Sequence, residues 1–435
     1  MTDRQKTVSF HTLGCRLNFS ETGSIASGFE QRGYKIVPFE QDSDLVFLNT
    51  CTVTDGADSS CRNLIKKAKK HSPNSKVIVS GCYAQMESEK LGLMPEVDLI
   101  LGNSEKYNVF EHLGEIENKI KIDQTNDFWG AYTTPSDFKH TRAFLKIQDG
   151  CNYICSFCII PQARGRSRTI SVEQAYTNAL ELVKAGYKEI VLTGVNIGEY
   201  EKSGEKLTDL VKKVSSIKNL ERLRLSSVEP NTITDELLKI LKDSGKYLNH
   251  FHIPIQSAND EILKSMRRKY TISEYCAVLD KIQTYFPTSA IGADIITGYP
   301  GETQEQFEET YKYLESSAIT HFHVFPYSSR QGTTAAKLPQ HHDNSIKKQR
   351  VKILNELGDR KIERFSTKML GKITSVLFEQ NKNGFWEGYN PEFLKVKVQS
   401  DLDLKNKIMP ILIESTYSPS KHQMLGKIVM HSQRQ

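Results

Sequence analysis

No stretch of this 435-residue chain approaches the ~18 consecutive apolar residues that suggest a membrane-spanning helix. The opening "MTDRQKTVSF" is polar and lacks the apolar core of a secretory signal. No low-complexity tract or short-period repeat is visible. The C-x2-C…C-x2-C spacing of a structural zinc site is also missing. These absences lead us to expect a cytoplasmic protein with no membrane contact. In a reducing compartment its cysteines serve as ligands or catalytic groups rather than as disulfides.

The chain is 38% hydrophobic and 25% charged, as a soluble globular protein is. Its length exceeds one ordinary core, so two or three domains are expected. The net charge of +6 is compatible with an RNA partner. The basic residues are spread widely, however, and many belong to solvated helix faces.

Residues 1–118 alternate strand-like and helix-like segments. "VSFHTL", "LVFLN", "KVIVS" and "VDLILG" read as strands, and "CRNLIKKAKKH" as an amphipathic helix. This alternation predicts a parallel sheet with helices on its faces. Residues 119–140 break the rhythm and read as a linker. The alternation returns six times over residues 141–368, which end in a long basic connecting helix. Strands are expected at Ala143–Gln148, Glu189–Val195, Arg222–Ser226, His250–Gln256, Ala290–Thr297 and His321–Tyr327. Ser171 and Thr303 stand where helix caps belong, and Thr303 with Gln306 makes a capping box. Six βα units fit an open doubly wound sheet or a partial barrel, and both carry function at strand carboxyl ends. Residues 369–435 hold five short strand-like segments, the size of a small antiparallel barrel. The predicted fold class is thus α/β with a small β-barrel at the carboxyl end.

The chain has eight cysteines. Cys151, Cys155 and Cys158 form C-x3-C-x2-C directly after the first strand of the six-fold repeat, in a loop opened by Gly150. Soft thiolates at this spacing suit an iron–sulfur cluster. Three ligands on a four-iron cluster leave one iron open for a substrate or cofactor. A zinc site with a distant fourth ligand is the alternative. Cys15, Cys51 and Cys82 each lie just past a predicted strand end. Neighbouring parallel strands bring their carboxyl ends to one edge, which would gather these three into a second three-ligand cluster. Three separate buried cysteines are the alternative. Cys61 and Cys276 fall inside helices without a partner at ligand spacing.

C-x3-C-x2-C at this place resembles the radical S-adenosylmethionine (SAM) superfamily. Together, "TLGCRLNFSET", "LNTCTVTDGAD", "SGCYAQ", "GCNYICSFCIIPQARGRSRT", "IPIQSANDEILKSMRRKYT" and "YSSRQGTTAA" are similar to the methylthiotransferases of that superfamily, over nearly the whole chain. The resemblance implies an N-terminal cluster domain, a central partial (β/α)6 radical SAM barrel and a C-terminal TRAM-like barrel. It implies two 4Fe-4S clusters. Cys151, Cys155 and Cys158 would hold the one that cleaves SAM, and Cys15, Cys51 and Cys82 the one that presents sulfur. Phe157, Gly194, Ser227, Glu229, Gln256 and Asp294 would surround SAM, and a further SAM would give the methyl group.

The implied reaction replaces an adenine C–H by S–CH3 at carbon 2. That carbon is unactivated, so a cofactor-borne radical is required. "NTCTVT" and "CIIPQARGRSR" are similar to the branch acting on N6-threonylcarbamoyladenosine beside the tRNA anticodon. Alternatives are N6-isopentenyladenosine in tRNA, an aspartate of a ribosomal protein, or a non-catalytic iron–sulfur RNA-binding regulator. Gln331 in "YSSRQGT" departs from the proline usual in the family. Implied partners are the tRNA anticodon stem-loop, an electron donor such as flavodoxin or ferredoxin, and a sulfur source.

Arg164, Arg166 and Arg168 follow the cysteine loop and are candidates for phosphate contact, with structural salt bridges as the alternative. In the C-terminal barrel, Phe385, Trp386 and Tyr389 with Lys395 and Lys397 could offer stacking faces and charge to RNA. Otherwise they form barrel core and edge.

Overall fold

Six parallel strands build the N-terminal sheet: β1 (Thr7–Thr12), β2 (Lys35–Val37), β3 (Leu45–Thr50), β4 (Lys76–Gly81), β5 (Leu99–Leu101) and β6 (Ile120–Lys121). Their order is β2-β1-β3-β4-β5-β6. All six residues of β3 are buried, as expected for a central parallel strand covered on both faces. The computed structural model describes residues 4–114, 119–123, 141–418 and 423–429. The expected linker therefore lies largely outside the described residues. Its first part does not behave as linker, because Ile120 and Lys121 pair with β5 as the last strand.

The central domain begins with β7 (Arg142–Lys146). A short antiparallel ribbon, β8 (Gln148–Asp149) and β9 (Arg168–Thr169), then brackets the cysteine loop. The sequence pattern does not reveal this ribbon, because each side is two residues long. Next come β10 (Glu189–Thr193), the small hairpin β11 (Glu201–Lys202) and β12 (Glu205–Lys206), then β13 (Arg222–Leu225), β14 (His250–His252), β15 (Ala290–Thr297) and β16 (His321–Pro326). All six barrel strands are parallel, in the triplets β13-β10-β7 and β14-β15-β16. A bridge between Leu223 and Tyr247 lies where the triplets meet. The Ser171 cap and the Thr303–Gln306 capping box both form.

The N-terminal domain covers the free edge at β7. Its helix Arg16–Gln31 packs on β7, and Ser20 Oγ donates to the Phe144 carbonyl at 3.0 Å. The helix Asn344–Thr367 packs on β16 and sends Ile362 into the core of the last domain.

That last domain is a closed five-stranded barrel in the order β17-β18-β19-β21-β20: β17 (Ile373–Lys382), β18 (Phe385–Tyr389), β19 (Lys395–Gln399), β20 (Ile408–Ser418) and β21 (Gln423–Ile428). Trp386 belongs to its core with Val376, Phe378, Val396 and Ile411. This corrects its assignment to an RNA-facing surface. It is 8% exposed, because alternation along β18 turns it inward. Three arginines dock the barrel. Arg222 donates to the carbonyls of Tyr389 and Ser375, Arg224 to those of Asn390 and Pro391, and Arg142 pairs with Glu379 at 2.8 Å.

Candidate active site

Strands β1, β3 and β4 are neighbours, and each is followed within three residues by a cysteine. Cys15 caps the amino end of the helix Arg16–Gln31, Cys51 follows β3, and Cys82 opens the helix Cys82–Met86 after Gly81. A helix amino terminus favours the thiolate. Gly14 and Gly81 both take positive φ. At Gly14 a Cβ would sit 2.7 Å from the Cys51 Cβ, so only glycine lets the Cys15 loop lie on Cys51. Burial, with the neighbouring Cys82 and Cys15 adding to it, pushes the Cys51 thiol up to about 12. The three thiols therefore lie within electrostatic reach of one another. Cys61 is separate, buried in its helix and donating to the Cys51 carbonyl.

Arg164 joins this triad to the central domain. It is 3% exposed. Nε donates to the Cys82 sulfur at 3.2 Å, Nη1 to Glu21 at 2.9 Å and Asp149 at 3.0 Å, and Nη2 to Asn18 at 2.6 Å. Lys146 bridges the same two carboxylates at 2.8 and 2.7 Å, and Lys106 also holds Glu21. Arg164 is thus not a phosphate ligand, which corrects that expectation: every nitrogen is taken by a buried partner. Arg168 leans on the Arg164 and Arg166 carbonyls and on Asp149. Arg166 alone of the three is exposed. A second buried link runs from Thr52 through Asp58 to Arg330 of "YSSRQGT", at 2.8 Å on each side.

The second triad has an arginine on sulfur as well. Arg268, from "MRRKYT", donates Nη1 to the Cys155 sulfur at 3.2 Å, and its Nη2 pairs with Glu229. Burial raises the Cys151 and Cys158 thiols to about 12. Gly150, φ +68°, has no room for a Cβ against the Arg166 carbonyl, so the loop folds tightly onto its own basic tail.

Among the cavities beside these loops, two gather expected SAM-site residues. The smaller, of about 230 Å3, is lined by Phe157, Cys158, Gln256, Asp294 and Tyr327, with Val53 and Thr54 of the N-terminal domain. Gln256 adopts a positive φ of 65°, a strained conformation of the kind found at functional sites. The larger, of about 790 Å3, is walled by all three domains and includes Cys15, Gly194, Ser227 and Lys395. Phe325 lines both. Ser227 Oγ lies 2.6 Å from His252 Nδ1, and His252 Nε2 lies 3.3 Å from Asp294. Burial alone would raise the Asp294 carboxyl, but His252 and the nearby His323 and His321 lower it below its ordinary value. Glu229 lines neither cavity, and its carboxylate is held by Arg268. Lys395 spends its charge on Glu387 at 2.8 Å.

Residues 145–314 match the Radical SAM superfamily, and residues 7–102 match Uncharacterized protein family UPF0004. The chain is 36% identical to the threonylcarbamoyladenosine tRNA methylthiotransferase MtaB of Bacillus subtilis, over 97% of both proteins. The chain belongs to the radical SAM tRNA methylthiotransferases. It is also 34% identical to the tRNA-2-methylthio-N(6)-dimethylallyladenosine synthase of Fusobacterium nucleatum, over 86% of this chain and 88% of that protein. A radical SAM methyltransferase, TsrM, from Kitasatospora setae shares the fold, with TM-score 0.54 at 13% identity, covering 74% of this chain and 73% of the other.

Such a methylthiotransferase uses SAM and a [4Fe–4S] cluster, and the donors present fit them. Among the described residues no three His, Cys, Asp or Glu side chains gather as a single metal ion requires. A cluster binds each thiolate through a different iron and needs its ligands further apart. Cys151, Cys155 and Cys158 could hold it, with Arg268 supporting one sulfur. The raised thiols mean that ligation must release protons as the metal enters. No helix among the described residues is long and apolar enough to cross a membrane.

Proposed function

We propose that this enzyme adds a methylthio group to carbon 2 of N6-threonylcarbamoyladenosine next to the tRNA anticodon, using two [4Fe–4S] clusters. The observation that carries the reading is the pairing of two cysteine triads, one per domain, joined through the buried Arg164. Cys151, Cys155 and Cys158 hold the first cluster, and Cys15, Cys51 and Cys82 the second. With SAM bound, the first supplies a carbon-centred radical able to break an unactivated C–H bond.

The chain's own residues bind and orient. Phe157, Gln256 and Asp294 form the smaller cavity around SAM, where an ionised carboxylate suits the cationic groups of that cofactor. Ser227 and His252 hold Asp294 in place. Gly194, on the wall of the larger cleft at the end of β10, lets the buried Gln148 pack against the backbone, because a Cβ there would meet its side chain at 2.7 Å. Arg166 and the rim of the C-terminal barrel face the RNA backbone. Electrons come from a carrier such as flavodoxin or ferredoxin, and sulfur from an external source.

Similarity to the Bacillus subtilis enzyme along almost the whole chain supports the threonylcarbamoyl branch. Mass spectrometry of tRNA nucleosides from cells lacking this protein tests it. Loss of 2-methylthio-N6-threonylcarbamoyladenosine, with other 2-methylthio nucleosides retained, is the expected result. Its persistence would remove the assignment.

A further inference from the structure

Among the described residues that line the larger cleft, one cationic side chain has no counterpart. Of the basic side chains that line it, Arg142 pairs with Glu379 and Lys395 with Glu387. Arg16 has no ion pair or hydrogen bond from its guanidinium to any described residue. It lies over Phe393, whose ring centre is 5.8 Å away. The charged groups bearing on it include Arg142, Arg224 and Glu189, and Glu189 is already engaged by Arg224 at 2.8 Å.

Polar atoms of the same cleft lining are in the same condition. His250 is 5% exposed, yet its Nε2 has no hydrogen-bond partner among the described residues. Ser226 Oγ and Thr193 Oγ1, also on the cleft wall, have none either. Buried polar atoms left unpaired cost about 1–3 kcal/mol each, so a wall carrying several points to a polar occupant. Phe393 lies against both Arg16 and His250. It holds a positive φ of 64°, stacks on Tyr389 at 4.8 Å and meets His250 at 5.0 Å. A bulky residue in that conformation is strained and persists only because its surroundings hold it there.

We propose that this wall reads the amino-acid side chain of the modified adenosine, with Arg16 pairing its carboxylate and His250, Ser226 and Thr193 meeting its hydroxyl and urea groups. The inference rests on the threonylcarbamoyl reading above and names the residues that would enforce it. An isopentenyl group offers no partner to any of these atoms. A site built on hydrogen bonds rejects a ligand that cannot make them far better than an apolar pocket rejects a polar one.

The test is equilibrium binding of the cluster-reconstituted full chain to anticodon stem-loop RNAs, followed by fluorescence anisotropy. The RNAs carry threonylcarbamoyladenosine, its methyl ester, or isopentenyladenosine. Wild type should favour the free carboxylate over the ester by about ten- to a hundredfold. Arg16→Gln should bind both about equally, and Arg16→Lys should keep part of the preference. If Arg16→Gln does not fold, Ser226→Ala with Thr193→Val should weaken the threonylcarbamoyl RNA and leave the isopentenyl RNA unchanged. A full wild-type preference in Arg16→Gln, or an unchanged ratio in the double variant, overturns the pocket. If wild type itself favours the isopentenyl RNA, the substrate reading fails, and the pocket with it.

Discussion

Arg164 donates from Nε to the Cys82 sulfur across 3.2 Å and from Nη1 to Asp149, two residues ahead of Cys151, across 3.0 Å. One side chain therefore spans the interface between the two cysteine triads. It does so on the short helix Ile160–Arg164, which begins two residues after Cys158.

Removing Arg164 should destabilise the interface strongly. Arg164→Ala leaves Glu21 and Asp149 buried with less compensating charge, and breaking such a network costs about 3–5 kcal/mol. Calorimetry should show a clear fall in the unfolding temperature. Arg164→Lys should recover part of it, because a single ammonium can satisfy only some of the four partners.

Arg268 should tune the central cluster through Cys155. A charge-assisted N–H···S bond favours the reduced, more negative state, so Arg268→Gln should lower the reduction potential. A change of 1.5–3 kcal/mol in a one-electron couple is on the order of 60–130 mV. A potentiometric titration followed by electron paramagnetic resonance reads the shift.

Gly150→Ala should cost the central cluster. Its φ of +68° is unfavourable for alanine, and the added Cβ overlaps the Arg166 carbonyl. Gly186 also has positive φ but nothing near its Cβ position, so Gly186→Ala should lose only about 1 kcal/mol. Iron retention after reconstitution separates the two variants.

The strand and helix rhythm was legible because long parallel strands are apolar on both faces and helices carry their own caps. "LVFLN" and the Thr303–Gln306 box illustrate this. The ribbon Gln148–Asp149 with Arg168–Thr169 was not, since two-residue pairings leave no periodic trace. The six cysteines could be placed at strand ends from order alone. The partners of Arg164 and the inward turn of Trp386 could not. Both depend on which side chains the tertiary fold sets opposite. "RLRL", "HFH" and "HFHVF" carry a further signal. Polar residues alternating inside parallel strands mark a polar barrel lumen, and that is where the larger cleft runs.

Acid should weaken the C-terminal barrel through Glu387, which Lys395 and Lys397 hold at 2.8 and 3.0 Å. Burial alone would raise its carboxyl, but the two lysines outweigh it and lower the value from 4.5 to about 2. The folded value lies below the unfolded one. The stabilisation is therefore complete above pH 4.5 and disappears as pH falls toward 2. Urea midpoints measured from pH 6 to pH 3 should fall more steeply in wild type than in Glu387→Gln.

Iron and acid-labile sulfide analysis of the reconstituted chain tests the two-cluster site most directly. The account predicts about eight irons per wild-type chain and about four in the Cys15, Cys51 and Cys82→Ala triple variant. That variant should still cleave SAM to 5′-deoxyadenosine. About four irons in the wild type, unchanged in the triple variant, would contradict it.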